Sequence, residues 1–201
     1  MTNRHWVRTV VPRYRDDPTI AMWELINEPY GSDTATVRAF FDDAGAIVHE
    51  LDPNHLVSFG TLQPDTYGGV AEFEEFSASP GVDVLSLHEY YYDDADASHR
   101  LEPAVEAALA VDKPLLVGEW GLNAGPPGDR DEDGVGCHTV EERYQVAKSK
   151  LAAYLDTPVV AGALYWSYTA EENSICKLST TRRDPLVELI RNIPIPLTDQ
   201  Q

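Results

Sequence analysis

Nowhere in the 201 residues does an apolar run approach the roughly 20 residues of a membrane-spanning helix, so no helical span is expected. Positive charge is also scarce. Fifteen Lys and Arg stand against 34 Asp and Glu, leaving a formal net charge of −19. A surface that acidic repels phosphate backbones and anionic lipid, which argues against nucleic acid and membranes as partners and suits an uncharged ligand. The only cysteines, Cys137 and Cys176, permit one disulfide, and neither lies in a CxxC or other zinc-type spacing. His49, His55, His99 and His138 form no metal-ligand spacing, so neither a metal nor a cofactor is expected. No repeat, low-complexity tract or Gly/Ser linker marks a boundary, and residues 1–201 are read as one domain. The chain opens on polar, helix-like residues, with no signal peptide at Met1–Trp6.

Apolar residues make up 43% of the chain, enough for a real core. Strand-like apolar runs alternate with amphipathic stretches. Strands are expected at Ile20–Ile26, Leu56–Phe59, Val82–His88, Pro114–Trp120 and Val159–Tyr168. Helices are expected at Thr34–Leu51, Val70–Phe76, Glu102–Val111, Glu141–Leu155 and Pro185–Asn192, with Ala39, Phe40, Ala44, Ile47, Val48 and Leu51 forming the buried face of the first. Strands that each lead into a helix predict an α/β fold with a parallel sheet.

The polar and aromatic residues cluster in one place. Asn27-Glu28, His88-Glu89-Tyr90, Glu119-Trp120 and Trp166-Ser167-Tyr168 all fall at C-terminal strand ends, where a (β/α)8 barrel carries its active site. Glu28 and Glu119 are the notable pair. Hydrolysis of a glycosidic bond needs two carboxyl groups, one to protonate the leaving oxygen and one to attack or to activate water. A Ser-based esterase or protease is disfavoured, because no GxSxG or Ser/His/Asp pattern occurs at these ends.

Trp23-Glu24-Leu25-Ile26-Asn27-Glu28-Pro29 resembles the fourth-strand motif of glycoside hydrolase family 5, and Gly118-Glu119-Trp120-Gly121 its seventh. Asp16-Asp17-Pro18-Thr19-Ile20 is similar to the family's approach to strand four. Leu51-Asp52-Pro53-Asn54-His55-Leu56-Val57 is similar to its approach to strand five, particularly in the β-mannanases. His88-Glu89-Tyr90 resembles the sixth-strand His-x-Tyr, and Gly162-Ala163-Leu164-Tyr165-Trp166 the eighth-strand Trp. The resemblance implies a partial (β/α)8 barrel, strands four to eight with their helices, preceded by a helix at His5–Tyr14. It also implies a secreted or extracellular retaining enzyme that cleaves β-linked polysaccharide. Glu28 would be the acid/base, kept protonated near neutral pH, and Glu119 the nucleophile, kept charged. Asn27 would bond the sugar 2-hydroxyl, Tyr90 would aim Glu119, and His88 would line the site near Glu28. Trp166 would floor a sugar ring, and Trp120 would join the substrate contacts. Tyr30, Tyr91, Tyr92 and Tyr168 are further candidates for stacking. A carboxyl separation of about 5–5.5 Å is expected, giving retention.

Several features stand outside this pattern. Glu24 points the same way as Glu28 on an extended strand, and no partner for a carboxylate inside the barrel is evident. Asp129-Arg130-Asp131-Glu132-Asp133-Gly134 matches the first half of a calcium loop, but Val140 holds the twelfth position, so a flexible acidic loop is expected. Cys137 and Cys176 follow the seventh and eighth strands of the resemblance, where a bond would tie neighbouring loops. Strands one to three have no counterpart in this sequence, nor do the Arg and His they would bring to the site. Three situations fit: a piece of a longer enzyme, a barrel completed by a second copy or another chain, or a remnant without catalysis. The alternative to a hydrolase is a non-catalytic carbohydrate-binding or assembly module.

Overall fold

A computed structural model describes residues 3–30, 33–90, 98–131, 134–170 and 176–193. Five parallel strands form one curved arc among them: β1 (Met22–Asn27), β2 (Leu56–Gly60), β3 (Leu85–Glu89), β4 (Leu115–Trp120) and β5 (Val160–Tyr165). Pairs β1–β2, β3–β4 and β4–β5 are parallel ladders, and parallel bridges Ser58–Val84 and Thr61–Leu87 join β2 to β3. The helices are α1 (Asn3–Tyr14), α2 (Thr34–Leu51), α3 (Val70–Ser77), α4 (Ser98–Ala110), α5 (Val140–Leu155) and α6 (Pro185–Arg191). Each strand leads into a helix, because parallel neighbours need a long crossover and helices cover the outer face. The chain therefore supplies five consecutive β/α units of a TIM barrel.

The caps explain where the helices start. The side chain of Asp33 accepts from the Thr36 amide at 2.9 Å and opens α2. Thr139 and Glu142 cap each other's backbone amides at the start of α5, and Asp184 accepts from the Leu186 amide to begin α6. The buried face of α2 differs from the expected one: Val37, Phe41, Ala44, Gly45, Ile47 and Val48 face inward, and Ala39 is exposed. Gly45 explains the rotation. A Cβ there would stand 2.0 Å from the Gly81 carbonyl oxygen, so the helix must turn this bare position towards the chain preceding β3. Strand β5 ends earlier than expected, at Tyr165.

A cluster of Phe41, Phe59, Phe73 and Phe76, all at 0% exposure, fills the space between β2, α2 and α3. Phe41 stacks on Phe59 at 4.9 Å, and Phe76 meets Phe59 and Phe73 edge-on at 5.6 and 5.0 Å. Burial of each ring contributes on the order of 2–3 kcal/mol. Strand β3, in mid-arc, is buried at every position, whereas β1 and β5, at the two ends, consist of half-buried and exposed residues.

A polar knot holds the opposite, N-terminal end of β1 and β2. Asp52, fully buried, accepts from Trp23 Nε1 at 2.7 Å, from the Asn54 and His55 amides, and pairs with His55 Nδ1 at 2.7 Å. His55 Nε2 lies 3.0 Å from the Asp17 carbonyl oxygen. Burial works to raise the Asp52 carboxyl, yet these donors hold it below its ordinary value of 3.8. The Asp52 hydrogen bond, against a smaller cost of burial, raises His55 above its ordinary 6.5. His55 thus contributes stability that is complete below its unfolded pKa and is lost as pH rises through the higher folded one. Asp52 contributes stability present above its unfolded pKa and lost as pH falls through the depressed one. Urea unfolding as a function of pH is expected to show both declines, with the alkaline one flattened in His55→Gln; an unchanged profile would refute the coupling. Asp52→Ala, which orphans buried donors, is expected to cost about 2–3 kcal/mol.

Candidate active site

The functional candidates sit where the arc's C-terminal ends converge. Parallel register pairs His88 with Glu119, and Glu89 with Trp120. Glu28 follows β1, its amide donating to the Gly60 carbonyl at 2.6 Å. It adopts a left-handed backbone, φ 45°, an uncommon conformation for a residue with a Cβ. The strand must turn sharply there before Pro29, and this turn swings the carboxyl over the sheet end.

His88 joins the two carboxyls. Its Nδ1 lies 2.9 Å from Glu28 Oε1 and 3.6 Å from Glu119 Oε2. The Tyr90 hydroxyl donates to Glu119 Oε2. One oxygen of each carboxyl and the imidazole nitrogen all lie within 4.8 Å of one another. Glu28 and Glu119 are partly exposed, with side chains at 33% and 20%, whereas the His88 side chain is at 0% and its Nε2 has no hydrogen-bond partner among the described residues. With Glu28 ionised, the imidazole hydrogen belongs on Nδ1; with Glu28 protonated, the carboxyl can donate to that nitrogen. His88 lies beneath the cleft and reaches a ligand only through the carboxyls.

The cleft above encloses about 450 Å³ and is lined by Asn27, Glu28, Leu62, Tyr90, Glu119, Trp166 and Leu178. Trp166 is 52% exposed, and Tyr30 and Tyr168 are more open still. Leu62 and Leu178 carried no sequence signal beyond Leu62's place just past a strand end. Trp120 requires correction. Expected among substrate contacts, it is 1% exposed, its ring edge-on to Tyr154 at 5.8 Å and Tyr165 at 4.9 Å. The period of two along β4 turns Trp120 outward when Glu119 faces the cleft. Tyr91 and Tyr92 lie outside the described residues. A second hollow of about 500 Å³, lined by Arg143, Ser179, Arg183 and Pro185 among others, contains neither carboxyl.

Glu24 lies inside the arc, as its spacing implied. Gly60 makes room for it: a Cβ there would stand 2.7 Å from Glu24 Oε1. Burial pushes the Glu24 carboxyl up; the nearby His88 works against this and Glu119 adds to it. No Lys or Arg among the described residues forms an ion pair with it. Asp131, in the acidic loop, accepts from the Val135 amide at 2.8 Å and from Asn123 at 2.9 Å, which closes a tight turn; Glu132 and Asp133 lie outside the described residues.

The loops after β4 and β5 are stitched together. Cys137 and Cys176 form a disulfide with Cα atoms 5.9 Å apart. Ala124 bridges to both His138 and Lys177. Buried Arg143 reaches the carbonyls of Leu122, Lys177 and Ser179 and pairs with Asp184.

Two carboxyls facing each other across the mouth of a parallel β/α arc, above which an indole lies open, are the equipment of a glycoside hydrolase barrel. Comparison with known proteins agrees. The chain belongs to glycoside hydrolase family 5, its β-mannosidase-like group, whose model matches residues 4–176. It is 28% identical over 191 residues to mannan endo-1,4-beta-mannosidase 8 of Oryza sativa subsp. japonica, covering 79% of this chain and 49% of that protein. It is 34% identical over 135 residues to the probable mannan endo-1,4-beta-mannosidase F of Aspergillus flavus, covering 58% of this chain and 29% of that one. The chain thus spans half or less of the length of these relatives. The endo-1,4-beta-D-mannanase of Thermotoga petrophila shares its fold with TM-score 0.71 and 22% identity, over 94% of this chain and 62% of that one. The endo-1,4-beta-mannanase of Rhizomucor miehei gives 0.70 and 20%, over 90% and 56%.

The disulfide closes a separation of 39 residues, for which chain entropy gives about 3–4 kcal/mol of stabilisation. Cys137→Ala/Cys176→Ala is expected to lower the unfolding free energy by up to that amount. Reduction of the parent is expected to speed proteolysis within the two loops. Denaturant and proteolysis curves indistinguishable from those of the parent would show the stitching to be redundant.

Proposed function

We propose that this chain carries the catalytic half of a retaining glycoside hydrolase acting on β-linked mannan. The observation that carries this reading is the approach of the Glu28 and Glu119 oxygens to within 4.8 Å. Retaining enzymes hold their carboxyls about 5–5.5 Å apart, whereas inverting ones leave about 6.5–9.5 Å for a water. Glu119 is the nucleophile: Tyr90 anchors one of its oxygens, which leaves the other for the anomeric carbon. Glu28 is the acid/base. It protonates the leaving oxygen in the first step and, through the same atom, takes the proton of the attacking water in the second. Asn27, on the cleft wall beside Glu28, bonds the 2-hydroxyl, and Trp166 offers a flat apolar face on which a neutral sugar can stack. The strong negative charge of the chain is no obstacle, because the substrate is uncharged. Mannan is proposed as the polymer because both relatives are named for it.

Turnover of the chain should be measured on mannan, cellulose and xylan, with mannan expected to be cleaved fastest. Glu119→Ala is expected to lower kcat by about three orders of magnitude or more while oligosaccharide binding persists. Tyr90→Phe, which removes one donor, is expected to cost about 100-fold. NMR of the first-formed product should show the substrate's anomeric configuration. An inverted anomer would overturn the mechanism, and binding without turnover by the parent would favour a carbohydrate-binding module instead.

A further inference from the structure

A further carboxyl lies between the cleft residues and faces away from them. Glu89, the last residue of β3, separates His88 from Tyr90, and strand alternation turns it away from His88, outward towards α5. There Glu89 Oε2 accepts from the Tyr154 hydroxyl at 2.7 Å and from Lys150 Nζ. Glu89, Lys150 and Tyr154 are 1%, 0% and 2% exposed. Lys150 and Tyr154 are four residues apart and share one face of α5. The Tyr154 ring also meets Trp120 edge-on at 5.8 Å, and Trp120 is the outward neighbour of Glu119. The backbones that carry His88, Tyr90 and Glu119 are therefore all tied, through their outward neighbours, to a single turn of one helix.

We propose that Glu89, Lys150 and Tyr154 form a positioning device, which sets the height and rotation of β3 and β4 so that Tyr90 meets Glu119 and His88 meets Glu28. Stability alone does not account for it. Taking an ammonium and a carboxylate out of water is costly, and apolar residues of similar volume often serve as well or better. Elsewhere the arc does use apolar filling, as in the phenylalanine cluster behind β2. What an ion pair with a third donor adds is direction: its hydrogen bonds fail when the strand slides or twists, whereas apolar contacts tolerate such slips. A displacement of about 1 Å at a catalytic group can cost as much as 100-fold in rate. The inference rests on the glycosidase reading above.

The test compares Lys150→Met with the double variant Glu89→Leu/Lys150→Met. The single variant strands a buried carboxylate and is expected to unfold more readily. The double variant is expected to regain part of the thermal midpoint that the single variant loses, short of the parent because the buried Tyr154 hydroxyl loses its acceptor, and to keep KM within about twofold, while kcat falls at least about tenfold. A folded double variant with unchanged kcat would overturn the proposal. If the parent shows no turnover, the glycosidase reading fails, and the 15N signals of the His88 ring decide this inference separately. Shifted or broadened signals in the double variant support positioning, and signals identical to the parent's refute it.

Discussion

The pairing of β3 with β4 is the constraint on which the rest depends. Once His88 lies opposite Glu119, alternation assigns the residues at these strand ends to the cleft or to the helices, and the ladder skips Gly118 just before them, so that Gly118 faces His88 as well. Glu89 and Trp120 then face α5, Tyr90 returns to the cleft, and the same register passes to β5 through Trp120 and Tyr165. A slip of one residue would bring the indole and the buried carboxylate into the cleft and turn the two functional carboxyl partners away. The hydrophobic core resists that slip, because Leu85, Leu87, Leu115 and Val117 are all fully buried in the same two strands.

Within that frame the cleft is an arrangement of acids tended by neutral or weakly basic donors. Three carboxyls, Glu24, Glu28 and Glu119, gather around one imidazole and one phenol, and no Lys or Arg among the described residues pairs with them. An imidazole can give or accept a proton at one nitrogen, which matches a group beside a carboxyl that must do both in the proposed mechanism. Its Nδ1 lies between the two carboxyls, hydrogen-bonded to Glu28 and 3.6 Å from Glu119. Lys and Arg side chains are instead used behind the site: Lys150 on Glu89, and Arg143 on Asp184 and the loop carbonyls. Positive charge builds the scaffold, and the cleft is left to groups whose protonation can change.

Much of this arrangement was legible in the residues. The alternation of apolar runs and amphipathic stretches placed every strand within a few residues, because parallel strands buried on both faces read as continuous apolar segments. Polar dipeptides at their ends marked the cleft. The errors have physical causes. An aromatic beside a functional Glu, such as Trp120, suits either the ligand or the core, and only the direction of its Cα–Cβ bond decides between them. The face of α2 was displaced because a helix's rotation is settled by close packing, here by Gly45 against Gly81, and periodicity alone tolerates a shift of one position. Leu178, which follows no strand directly, reaches the cleft by a long loop that leaves no pattern.

The sequence by itself determined the order of β/α units, the family, and the two carboxyls at strand ends, because these depend on local periodicity and on residue types at fixed spacing. The tertiary structure decided how near those carboxyls come, which group joins them, and what lies behind them. Residues 28, 88 and 119 are remote along the chain, and their meeting depends on strand curvature and register, which are properties of the packed arc. So does the ion pair of Glu89 with Lys150, which are 61 residues apart and take on meaning only once α5 lies against β3.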